Sequence, residues 1–216
     1  MRVIYETKAS HPRSEESFRR QDDESHHKGT SPLTRLPTNF IAQFPLDPMH
    51  LIYHGVLKRF LLYLIGKDVT NANIKGRNIA RISSNLESVA GYRTKEFTRP
   101  PRSLTFVGRW KATELRFFLL YVGVVVLSDV LIEEKKPLYK YFLQLHVAVR
   151  ILSCPCLVGN AYYVNFAENL LAAFVEGCAD KSVFGPGFVT YNVHSMLHLF
   201  DDVRRFGNIM NFSVCF

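Results

Sequence analysis

The stretch Phe44 to Gly66, FPLDPMHLIYHGVLKRFLLYLIG, sets an acid and two histidines against an apolar helical pattern. Asp47 is followed at three and seven positions by His50 and His54, a spacing that lets all three line one helix face. One chemistry for such a set is metal coordination, since an Asp and two His are acceptable ligands for zinc or a similar ion. Asp47 by itself has two compatible readings. As a carboxylate at a strand terminus it would hold a metal ion for phosphoryl transfer. As an Asp directly ahead of Pro48 it is a helix N-cap, because Asp accepts first-turn N–H groups and Pro fits the first helical position.

A second polar stripe stands near the C-terminus, where His194, His198 and Asp201 recur at spacings of four and three, with Asp202 and Arg205 beside them. A metalloprotease HExxH helix would need Glu at 195, and Ser195 stands there. The stripe reads instead as a polar face that docks on another element, with Asp201 or Asp202 pairing Arg205. Cys154-Pro155-Cys156 lacks the two-residue spacer of a zinc knuckle or redox pair. Neither a phosphate-cradling glycine loop nor a Gly-x-Ser-x-Gly nucleophile turn is present.

The elements that must position these residues follow from periodicity. Residues 1–37 are polar and of mixed charge, and read as a poorly ordered arm. Thr38 to Leu46 reads as a strand and Pro48 to Ile65 as a helix with Leu57, Phe60, Leu61 and Leu64 on one face, closed by Gly66. Asn78 to Val89 is a short helix, and 93–109 an extended basic connector holding Pro100-Pro101, with Leu104 to Val107 as a second candidate strand. Helices are expected over 110–131 and over 138–152, where Leu138, Tyr141, Leu145, Ala148 and Leu152 share one side. A third is capped by Asn160 and carries Val164, Ala167, Leu171 and Phe174, and a fourth spans 192–206.

The composition is that of a folded chain: 216 residues, 47% hydrophobic, with 17 Phe and 10 Tyr. Four unevenly spaced cysteines do not make a disulfide framework, which points to an intracellular, reducing setting, nuclear or cytoplasmic. The most membrane-like run, Phe117 to Leu127, is 11 residues long, against roughly 20 for a spanning helix, so a buried core helix and no membrane partner are expected. The net charge of +8 is uneven: residues 58–116 hold 13 Lys or Arg and 4 Asp or Glu. Such a basic segment inside a near-neutral chain is the footprint of a polyanion partner, and equally of a solvated face. Its candidate nucleic-acid contacts are Arg77, Arg81, Arg93, Lys95, Arg99, Arg102, Arg109 and Lys111.

The segment SFRRQDDESHHKGTSPLTRLPTNFIAQFPLDPMHLIYHGVLKRFLLYLIG resembles the transposase-domain proteins of animal genomes, relatives of CACTA-type (En/Spm-like) cut-and-paste transposases. The resemblance continues, in the same order, through RPPRSLTFVGRWKATELRFFLLYVGVVVL, YKYFLQLHVAVRIL and YNVHSMLHLFDDVRRFGNIMNFSVCF, and covers about residues 17 to 216. It implies an RNase H-like core interrupted by a helical insertion, with Asp, Asp and Glu holding two metal ions, Mg²⁺ or Mn²⁺, for DNA cleavage and strand transfer. In that pattern the second Asp is followed by two residues and a His, and Asp47-Pro48-Met49-His50 matches it. The resemblance therefore implies Asp47 as a catalytic, metal-holding carboxylate and His50 as its neighbour.

No candidate for the first Asp lies on an upstream strand, and no Glu follows the Asn211-Phe212-Ser213 block before Phe216. The expectation is accordingly an incomplete DDE-type chain, inactive alone. It is mostly α, with 38–66 as a strand-helix piece of the RNase H-like core and 67–216 as the helical insertion. It should bind DNA weakly and without sequence preference, hold no cofactor tightly, and self-associate through the exposed face of Leu57, Phe60, Leu61 and Leu64. The rival readings are a helical protein-interaction module and a metal-binding module, neither with a role on DNA.

Overall fold

The computed structural model describes residues 3–10, 14–24, 27–67, 70–92, 95, 97 and 99–213. The protein is mostly helical, 65% by residue, with no strand among the described residues. The helices expected from periodicity are present. They run over 49–64, Gly76–Ser88, Ala112–Glu134, Lys136–Leu152, Ala161–Cys178 and, in three joined pieces, 191–206.

The helix over 49–64 is the centre of the core. Its first half, Met49–Leu57, is π-helical and its second, Lys58–Leu64, is α-helical. A π-helix has a wider turn than an α-helix, and here apolar side chains are buried on almost every side: Leu51, Ile52, Tyr53, Val56, Leu57, Phe60, Leu61, Tyr63 and Leu64. Leu57, Phe60, Leu61 and Leu64 are fully buried. The face expected to lie open is closed by this chain's own helices. Burying one such side chain is worth about 1.5–3 kcal/mol. Phe60 sits 6.2 Å from Phe142 and 5.2 Å from Phe184, while Phe118 reaches Phe142 at 5.9 Å and Phe184 stacks on Phe188 at 4.2 Å, so four segments meet in one aromatic cluster. The helix ends as its glycine predicts. Gly66 has φ of +80°, Lys67 N–H reaches Leu62 O at 3.0 Å, and Asn73 donates to Tyr63 O at 2.6 Å.

The strand expected over 38–46 is absent. Asn39 Oδ1 accepts the N–H groups of Ile41 and Ala42, Gln43 N–H bonds Asn39 O at 3.0 Å, and the chain runs on irregularly to Asp47. An Asx-type turn that satisfies its own backbone has no use for a strand partner. Leu104–Arg109, the other candidate strand, is a 3₁₀ helix started by Ser103, whose hydroxyl accepts Thr105 N–H. The RNase H-like strand is therefore not seen.

The polar N-terminal region carries a helix, Glu15–Arg20, capped by Ser14 and charged to suit its dipole. Arg19 donates to the carbonyls of Thr34, Leu36 and Thr38, and Glu15 accepts from Phe40 N–H at 2.6 Å. Phe18 stacks on Phe40 and Phe40 on Phe44. This clamp fixes the approach to Asp47.

The remaining helices wrap the centre. Lys136–Leu152 and Ala161–Cys178 pack as a hairpin, and the Val164, Ala167, Leu171 and Phe174 stripe is buried as its spacing predicts. Asn160 accepts Tyr162 N–H at 2.9 Å as the expected cap. Ala112–Glu134 is 23 residues long and apolar enough to cross a membrane by length and composition, yet 56% of its most apolar window is buried inside the fold. That helix includes a second π-helical stretch, Phe118–Val122.

Candidate functional site

Asp47 stands at the mouth of the core helix, at the end of an irregular segment. Its carboxylate accepts Met49 N–H at 3.1 Å and His50 N–H at 3.3 Å, and the His50 ring bonds the same oxygen that takes His50 N–H. The N-cap reading of Asp47 is thus realised. The side chain thereby meets two of the orphan N–H groups of the helix start. The His50 and His54 rings lie 6.4 Å apart. Among the described residues no group of three or more His, Cys, Asp or Glu side chains is placed to hold a metal ion. Asp47 with His50 supplies too few oxygens for Mg²⁺ by itself.

The C-terminal polar face docks on the segment before Asp47. Asp202 is buried and accepts Leu46 N–H at 2.8 Å, while Arg205 donates to Ile41 O at 3.4 Å. Burial pushes the Asp202 carboxyl up, with the Leu46 bond and the Arg205 charge opposing that shift. The ion pair of this helix forms between Asp201 and Arg204, whose guanidinium also bonds Glu168. His194 and His198 are ring neighbours at 5.3 Å, and His194 contacts Glu6 O at 2.8 Å. Burial, then the neighbouring His194, hold the His198 imidazole below its usual range. The docking role expected for this stripe is what Asp202 and Arg205 perform.

The basic residues divide by what surrounds them. Arg77 and Arg81 are exposed on helix Gly76–Ser88 and line a groove of about 540 Å³ that also holds Glu133 and Glu134 from the opposite wall. Arg102 is engaged internally. It makes a two-pronged bond to the buried Glu114 and donates to Arg109 O. Lys95, Arg99, Arg109 and Lys111 are exposed, and Arg93 lies outside the described residues.

Lys111 precedes helix Ala112–Phe117, whose first turn is fixed by Lys111 N–H donating to Glu114 at 2.8 Å. That helix packs on Met49–Leu57. His54 is held below the usual imidazole range, first by burial, then by Lys58, His50 and Lys111. Two lysines 53 positions apart in sequence therefore act on one histidine. Periodicity could not pair them, and neither His54 nor Lys58 stood among the sequence's nucleic-acid candidates. No family model matches this chain, and neither a curated protein nor a solved structure matches it.

Proposed function

We propose that this chain is a transposase-derived, DNA-associated protein that binds the duplex through its phosphates and does not read sequence. The observation that carries this reading is the basic excess of residues 58–116, 13 Lys or Arg against 4 Asp or Glu, with Arg77, Arg81, Lys95, Arg99, Arg109 and Lys111 exposed. The ordered blocks of resemblance, with Asp47-Pro48-Met49-His50 among them, supply the link to DNA transposition and to a nuclear setting. In the intact enzymes that the blocks resemble, the carboxylate that Asp47 matches would help to hold Mg²⁺ or Mn²⁺, which would supply Lewis-acid chemistry for phosphoryl transfer. In this chain Asp47 caps a helix, and its residues bind rather than cut.

Fluorescence anisotropy with a labelled duplex tests this across a salt series. If about six charges meet phosphates, log affinity falls with log salt at a slope of about −5, equally for unrelated sequences. No binding at low salt would leave the second reading, a helical protein-interaction module. That reading is favoured by Tyr162 and Phe166, 71% and 44% exposed on helix Ala161–Cys178.

A further inference from the structure

We propose that the outer face of helix Ala112–Glu134 is a two-fold interface, on which a second copy of this chain packs antiparallel with Val125 at the centre. The inference stands apart from the DNA reading, because the middle of this face is apolar.

One helix builds the face. Between Arg116 and Asp129 the chain holds no charged residue, and much of that stretch is buried in the core. Three large apolar side chains nevertheless reach solvent: Tyr121 is 44% exposed, Val125 64% and Ile132 49%. Within the α-helical part, Gly123–Glu134, Val125, Ser128 and Ile132 recur at i, i+3 and i+7 and so share one side. Tyr121 is held firmly at the other end, its ring stacked on Phe117 at 5.8 Å and edge-on to Phe97 at 5.3 Å. Exposed apolar side chains are ordinary when scattered, but a row of them along one helix marks a surface that something covers.

Charge indicates what covers it. Arg150, from helix Lys136–Leu152, holds its guanidinium 5.4 Å over the Tyr121 ring and is exposed. Asp129, one turn beyond Val125, is also exposed and accepts from the neutral Asn85 side chain at 3.2 Å. Neither Arg150 nor Asp129 forms an ion pair among the described residues. The face therefore carries a cation at Tyr121 and an anion at Asp129, four residues to either side of Val125. A two-fold axis at Val125 brings each Arg150 toward the partner's Asp129 and makes two equivalent ion pairs around an apolar middle. A parallel copy would set like charge against like. The neighbouring charges are already balanced. Lys75 approaches Glu134, which Asn78 also bonds; Arg77 and Arg81 share a groove with Glu133; and Glu133 and Lys136, exposed beyond Ile132, are of opposite sign. The exposed aromatics Tyr162 and Phe166 lack such a pattern, since Arg204 on that side of the fold is bridged to Glu168 and Asp201. One helix face is small beside the roughly 1,200–2,000 Å² of a stable interface, so the dimer expected is weak and grows with concentration.

Sedimentation velocity of the full chain over a concentration series tests the interface, with circular dichroism of each variant to show that its helices are kept. The wild type should pass from monomer toward dimer as concentration rises. Val125→Asp changes a side chain already exposed in the monomer, and should weaken the dimer at least about tenfold because two carboxylates would meet at the axis. Arg150→Glu and Asp129→Lys should each weaken it about tenfold. The chain carrying both exchanges should recover wild-type association, since the two ion pairs re-form with their signs reversed; a merely structural role for either residue predicts no such recovery. Phe166→Asp should leave association unchanged. A wild type that stays monomeric at every concentration would overturn the interface, and flotation of that monomer with phosphatidylcholine vesicles would give the face to a lipid surface instead. Dimers that survive Val125→Asp, or that Phe166→Asp abolishes, would overturn it by placing the contact elsewhere. Loss in both single exchanges without recovery in the double would overturn the antiparallel arrangement.

Discussion

Asp202 accepts the backbone N–H of Leu46 at 2.8 Å, tying the last helix to the residue immediately before Asp47. The acceptor is buried, so its loss leaves an N–H without a partner in a place water reaches poorly. Asp202→Ala should lower stability by about 1–3 kcal/mol. Asp202→Asn keeps an acceptor and removes a buried charge, and should cost less. Urea unfolding at neutral pH separates the two, and equal losses in both variants would show that the charge and not the acceptor matters.

A glycine within the first π-helical stretch and another directly after the second stand where a side chain has no room. A Cβ on Gly55 would stand 2.5 Å from Asn192 Nδ2 and 2.6 Å from His50 O. A Cβ on Gly123 would stand 2.6 Å from both Phe118 O and Phe142 Cζ. Gly55→Ala and Gly123→Ala should each destabilise by about 1–3 kcal/mol through overpacking. At Gly76, where a Cβ meets nothing within 4 Å, alanine should be neutral or gain up to about 1 kcal/mol. Thermal melts of the three variants check the order, and a neutral Gly55→Ala would mean that Asn192 and its helix simply move aside.

Asp47 should behave as a cap. Asp47→Ala removes the acceptor for Met49 and His50 and should cost about 1 kcal/mol, with Asp47→Asn costing less. Plasmid should remain uncut with Mn²⁺ for wild type and both variants. Nicking by the wild type that vanishes in both would instead give Asp47 a catalytic role.

Stability should fall as the solution is acidified through about pH 6.5. His54 and His198 both titrate below the ordinary value of 6.5 in the folded protein, chiefly because burial disfavours the imidazolium. In that window the unfolded chain binds more protons, so protonation favours unfolding. Asp202 acts in the opposite sense further down, since a carboxyl raised above 3.8 takes its proton first in the folded state. Urea midpoints measured across the range should drop on the acid side of 6.5, and His54→Gln with His198→Gln should flatten that drop. A midpoint that rises between neutrality and the histidine range would contradict the assignment.

Arg102 should matter for folding more than for DNA. Glu114 is 3% exposed at its side chain and is held by both prongs of the guanidinium. Arg102→Ala should cost about 2–3 kcal/mol by leaving that carboxylate short of donors. Arg102→Lys should not rescue it, because an ammonium cannot reproduce the fork. Calorimetry on the two variants, with duplex binding measured on whichever stays folded, tests both halves of the statement.

Much of the helical architecture was legible in the sequence because it is local. The 3.6-residue spacing of Val164, Ala167, Leu171 and Phe174 needs no partner to be recognised, and Asn160 and Gly66 mark helix ends by their own backbone chemistry. Asp47 followed by Pro48 likewise offered a cap by residue type, beside a metal-holding reading that residue type left equally open. What periodicity could not decide was the state of 38–46, where apolar residues at short spacing read as a strand. Only the tertiary arrangement showed that Asn39, Glu15 and Asp202 take up the N–H groups a strand would have offered. The same holds for the basic residues. Sequence counts charges, but their use depends on which acids the fold brings near. Glu114 claims Arg102 and Glu134 approaches Lys75, while Lys58 and Lys111, from separate elements, both help to hold the His54 imidazole below its usual range. Coulomb energy depends on separation in space and on burial, and neither is written in the order of residues along the chain.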